Sequence, residues 1–111
     1  VWPHDTSLTA LGFARYGFHD PADRLTGSLL DACSHFEQNR IPELFCGFGP
    51  ESTPKPYASS CVPQAWSAGA PYALLRAAFA VDPVDAGIEA AHDPSVLAGS
   101  ALDPLMDRWS E

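Results

Sequence analysis

Basic side chains are scarce in this chain. Six Lys and Arg stand against fourteen Asp and Glu in 111 residues, a formal net charge of −8. Nucleic acid and anionic membrane surfaces need clustered Lys and Arg, and the few present are scattered, which excludes both as partners. Long apolar runs are missing too: none approaches the roughly 18 residues of a membrane span. No basic stretch leads into an apolar one at the N-terminus, so no secretory signal is read. Cysteine is limited to Cys33, Cys46 and Cys61, spaced 13 and 15 apart with no CxxC pair. That pattern excludes a structural zinc framework and fits reduced, buried thiols in a cytoplasmic protein. Nothing calls for a cofactor or a metal.

What is present is globular: 46% apolar and 18% charged residues, in a length that allows one core. The charge is uneven. Residues 1–80 carry seven acidic and five basic side chains, whereas residues 81–111 carry seven acidic and one basic, with three prolines. The body is therefore expected to stop near Phe79, and 81–111 to form an acidic, Pro-punctuated tail with short helical possibilities at 84–91 and 101–109. The opening "VWPHDTS" reads like the inside of a gene, and the chain is expected to be a piece of a longer one.

Three helices are predicted in the body, an all-α reading. The first is capped by Asp5 or Thr6, runs to about Tyr16 and stops at Gly17, with Leu8, Leu11 and Ala14 or Arg15 along one side. The second takes Asp20 as N-cap, Pro21 at its first position and Asp23 in its first turn. Its stripe is Ala22, Leu25, Leu29, Ala32, Cys33 and Phe36, and it should end before Pro42. The third spans about Pro63 to Phe79 with Ser59 or Ser60 near its cap, and Trp66, Ala70, Leu74, Ala77 and Ala78 on one face. A link of about three residues makes the first two an antiparallel hairpin. A link of more than 20 residues, from Arg40 to Val62, separates the second and third. A loop of that length in a compact domain is usually functional, and its Leu44, Phe45, Phe48 and Tyr57 argue against disorder.

Chemistry-bearing residues gather in "VWPHD" at 1–5, "PELFCGFG" at 42–49 and "CVPQAWSAG" at 61–69. The starts of the first and third helices and the end of the second would share one end of the bundle, so these clusters converge on one rim. There Trp2, Phe45, Phe48, Tyr57 and Trp66 offer flat apolar faces, while His4, Asp5, Glu43 and Gln64 offer hydrogen-bonding edges. Such a rim suits a sugar ring, whose C–H faces stack on aromatics and whose hydroxyls bind polar groups. A carboxylate there could act as general base toward water.

"VWPHDTSLTALGFARYG", "IPELFCGF" and "CVPQAWSAGAPYALLRA", in that order over residues 1–79, resemble the C-terminal catalytic region of bacterial amylo-α-1,6-glucosidase (glycogen-debranching-enzyme-like) proteins. The resemblance implies part of an (α/α)6 toroid and an inverting α-glycosidase acting on an oligosaccharide. By the same likeness Glu43 is the catalytic base, and Trp2, His4, Asp5, Phe45, Tyr57, Gln64 and Trp66 belong to the sugar-binding rim. The family's general acid lies upstream of the matched region, so the remainder of the catalytic domain becomes an implied partner and this piece alone is expected to be inactive. Cys46 stands where debranching enzymes proper often carry Asp, and the tail does not resemble the family's strand-forming continuation.

Simpler roles compete for the same residues. Glu43 could be a loop carboxylate facing water, Asp5 only a helix cap, His4 a structural histidine, and Trp66 a core residue. Cys33 and His35 diverge by about 200° on a helix, which rules out a nucleophile pair. The alternative function is a non-catalytic helical interaction or carbohydrate-binding module. Either way, an uncovered aromatic rim predicts large aromatic side chains open to solvent.

Overall fold

In the computed structural model, residues 1–49 and 51–79 are described. They form three α-helices, α1 (Pro3–Arg15), α2 (His19–Ser34) and α3 (Ala65–Phe79), with a short antiparallel ladder of β1 (Phe45–Cys46) and β2 (Lys55–Pro56) between α2 and α3. The described residues are mostly helical, as the periodicity implies, with one small sheet that the all-α reading omitted. The segments 84–91 and 101–109 lie outside the described residues.

The turn between α1 and α2 follows from one glycine. Gly17 sits at φ +79°, where a Cβ would be strained. Its N–H donates to the Ala14 carbonyl (3.0 Å) and the next N–H, of Phe18, donates to the Phe13 carbonyl (2.9 Å). That is a Schellman closure, and the Phe13 and Phe18 rings meet edge to face 6.2 Å apart across it, supplying the accompanying apolar contact. Gly12 is the opposite case, a helix-interior glycine around which an added methyl meets nothing. Gly17→Ala is therefore expected to lower stability by about 1 kcal/mol, and Gly12→Ala to raise it by about as much. Urea unfolding followed by circular dichroism reads both signs.

Helix boundaries shift from the sequence reading for local reasons. α1 begins at least three residues early, on Pro3, with Trp2 at the N-cap position. Proline is pre-set for the first helical position and has no N–H to leave orphaned, so Asp5 lies in the first turn, favourable to the helix dipole, and is not the cap. α2 begins at His19, which places Asp20 and Pro21 inside its first turn. It stops at Ser34, because Gln38 and Asn39 both adopt φ 55° and turn the chain through a short 3-10 segment, Glu37–Asn39. Phe36 is buried all the same, beyond the helix end.

α1 packs against both α2 and α3, most extensively against α3. Its buried side is Pro3, Ser7 and Ala10, not the expected Leu8, which is half exposed. The facing side of α3 is Ser67, Ala70, Leu74, Ala77 and Ala78. Both faces are built mainly of small side chains, which let two helices approach closely. The core closes where these helices meet Leu29, Leu30, Cys33, Phe36, Ile41 and Phe45.

Candidate functional site

Backbone pairing draws the three sequence clusters to one end of the molecule. Val1 and Phe45 exchange hydrogen bonds, the Val1 nitrogen donating to the Phe45 carbonyl (2.7 Å) and the Phe45 N–H to the Val1 carbonyl (3.0 Å). The Tyr57 N–H donates to the Leu44 carbonyl at 3.1 Å, which extends the β1–β2 ladder. Glu43 is bound to the segment entering α3: its N–H donates to the Cys61 carbonyl (3.0 Å), and its Oε2 accepts the Cys61 N–H (3.1 Å). The start of α1, the glutamate loop and the start of α3 are thus tied together.

Glu43 is half-buried in this junction. Its carboxylate pins the far end of an 18-residue excursion, and Oε1 is left free of that contact. Gln64 is the true cap of α3. Its Oε1 accepts the N–H groups of Trp66 (2.6 Å) and Ser67 (3.2 Å), taking the role expected of Ser59 or Ser60.

His4, half-buried, leans on Trp66 with ring centroids 5.1 Å apart and planes inclined at 47°. Trp66 is nevertheless 64% exposed and Trp2 48% exposed. Trp66 therefore falls outside the core stripe of α3, one position away from Ser67, which takes the buried place. Asp5 is exposed one residue beyond His4, and Tyr57 is exposed at the end of the ladder.

Phe45 departs from the expectation of an open sugar-contacting ring. It is 5% exposed and packs on Phe36 with centroids 5.4 Å apart, so its main role is to anchor the loop in the core. The reason lies in its ladder position: pairing to both Val1 and β2 turns its side chain inward. Of the other rim residues, Trp2, His4, Asp5, Glu43, Tyr57, Gln64 and Trp66 lie on the segments brought together here, whereas Phe48 borders a separate cleft beside α2. Sequence reasoning missed the Cys61 backbone as the partner of Glu43, and no side-chain pattern could have signalled a main-chain donor.

The thiols differ from the expected buried set. Cys33 is buried, Cys46 half-buried and Cys61 exposed, and all are free. Burial pushes the Cys33 thiol up from 9.0 to about 11. Neutral Cys33 is the form the fold prefers, so its contribution to stability is complete below pH 9 and declines as pH rises toward 11. Iodoacetamide at pH 8 is expected to label Cys61 readily and Cys33 only after unfolding, as peptide mass spectrometry would show.

Among the described residues no group of three or more His, Cys, Asp or Glu is placed to hold a metal ion, and no helix is long and apolar enough to cross a membrane. Comparison with family models, curated proteins and solved structures finds no match to this chain.

Proposed function

We propose that the chain is part of an (α/α)6-toroid α-glycosidase, supplying the general base and one wall of the sugar site. The observation that supports this most directly is the tying together of three segments distant in sequence, one of them carrying Glu43 and the other two the exposed Trp2 and Trp66. In this reading Cys61 holds one carboxylate oxygen and Oε1 faces the attacking water. Glu43 takes the water's proton as its oxygen bonds to the anomeric carbon. An acid elsewhere in the full-length protein, about 6.5–9.5 Å away, protonates the departing glycosidic oxygen and the configuration inverts. Trp66 and Trp2 stack on sugar faces, while His4, Asp5, Tyr57 and the amide nitrogen of Gln64 meet hydroxyls.

The composition of α3 supports a toroid. From Ala65 to Phe79 only Arg76 is charged, yet Ala68, Gly69 and Tyr72 face solvent. A helix apolar nearly all round is normally covered on all sides, and flanking helical pairs would provide that cover. A second reading rests on the Glu43–Cys61 contact itself: a carboxylate that clasps a loop needs no catalytic task, and the rim would then serve a non-catalytic interaction or carbohydrate-binding module. Titration of maltooligosaccharides and panose against the full-length protein, with hydrolysis assayed in parallel for wild type and Glu43→Gln, separates the two. Binding with turnover lost supports the base; binding with turnover unchanged, or never present, leaves the clasp.

A further inference from the structure

A cleft of about 630 Å³ opens between α2 and the tip of the long loop, on a part of the surface that none of Glu43, His4, Asp5, Gln64 or Trp66 lines. Its size falls in the range of small-ligand sites. The floor is apolar, from Leu29 and Phe45, both core residues. Phe48 stands at its edge, 60% exposed, a flat apolar face with little cover of its own. One carboxylate borders it from each wall, Asp31 from α2 and Glu51 from the loop, and hydroxyls from Ser28 and Ser52 accompany them.

We propose that this cleft is an accessory sugar site, taking a neutral glucosyl unit of the same glycan; the assignment rests on the carbohydrate reading of the rim. The lining supports that ligand class on three grounds. No Lys or Arg lines the cleft, His35 is its one basic side chain, and the Val1 nitrogen at its border is already engaged by the Phe45 carbonyl, so a phosphate or carboxylate would meet two carboxylates with little counter-charge. Hydroxyls accompany the carboxylates, so donors and acceptors are both offered, whereas an ammonium ion would use the acceptors alone. Phe48 and the floor supply the apolar surface against which a sugar's C–H face is desolvated. The loop joins the two sites physically: Glu43 belongs to the rim, and Phe45 to Gly49 border the cleft.

The test is a titration of the full-length protein with maltotriose, read by amide chemical shifts and by calorimetry. Shifts should concentrate at Ser28, Phe48 and Ser52, and Phe48→Ala should weaken cleft binding about tenfold, the order of one lost aromatic contact. Phe48 is exposed, so its truncation leaves the fold intact, and Trp66→Ala should leave the cleft shifts in place. Shifts confined to residues 2–5 and 64–66, no shifts at all, or wild-type affinity in Phe48→Ala would overturn the accessory site. Displacement of maltotriose by putrescine would overturn it too, in favour of a cation site. The rim reading is judged separately by hydrolysis in Glu43→Gln full-length protein, so either can fail alone.

Discussion

Glu43→Gln is expected to reduce turnover of an α-glucan oligosaccharide by about 10²- to 10⁴-fold in the full-length protein, the usual contribution of a positioned general base. Saccharide affinity should hold. The amide has the shape of the carboxylate and keeps an oxygen that can accept the Cys61 N–H, so the junction of the glutamate loop with α3 survives. Only the basicity is removed. Glu43→Ala differs because it deletes base and clasp together, and should also lower stability by about 1 kcal/mol, the net worth of one hydrogen bond at a partly solvated site. The pair of variants therefore separates chemistry from architecture. Turnover lost in Gln with unchanged unfolding identifies the base. Turnover kept in Gln, with Ala destabilised, identifies a structural glutamate.

Much of this arrangement is legible in the sequence. Gly17 stops α1 because its φ is positive, and glycine is the residue that accepts such a turn at least cost. A short link then forces a helical hairpin, and that topology alone places the starts of α1 and α3 at one end. The contact of His4 with Trp66 is the side-chain expression of that rule. The open ring of Trp2 is legible too, since an aromatic rim at the end of three helices has nothing to cover it.

Two features were not legible, for physical reasons. Periodicity assigns a helix its apolar arc with an error of about one residue, or about 100° of rotation. For α1 the tie between Leu8 and Ser7 was broken by helix proximity: small side chains won the buried face because α3 lies against it. On α3 the arc itself was right, with Ala70, Leu74, Ala77 and Ala78 buried, and only its first position moved, from Trp66 to Ser67. Phe45 failed differently. An aromatic ring in an apolar loop carries one sequence signal, whether it walls a ligand site or anchors the loop. Only the pairing of Phe45 with Val1 and Pro56, two non-local events, turned the ring inward. Proline-rich composition likewise hid β1 and β2, which are two residues each and held by position more than by propensity.

Leu74→Ala should be among the most damaging single truncations in the described body. Leu74 is 1% exposed and leads the fully buried side chains in volume; Thr26, Pro3, Pro42, Ser7 and Ser67 follow it. A core supplied largely by alanine and serine faces depends heavily on its few large members. The cavity left by leucine in α3 would open toward α1 and α2, whose backbones cannot collapse inward without disturbing the Gly17 turn. A cost of about 3–4 kcal/mol is expected, within the range for buried leucine truncations. For a small domain with a total near 5 kcal/mol that removes most of the folded state's margin. Tyr72→Ala, two residues away on the exposed side of α3, should change stability by less than about 0.5 kcal/mol. Urea titration of the two variants tests the rotation of α3 directly, because a turn of the helix by one residue would bring other side chains to the core. If Tyr72→Ala proved the costlier change, α3 would be docked on another face, and the approach of Trp66 to His4, on which the proposed sugar wall depends, would fall with it.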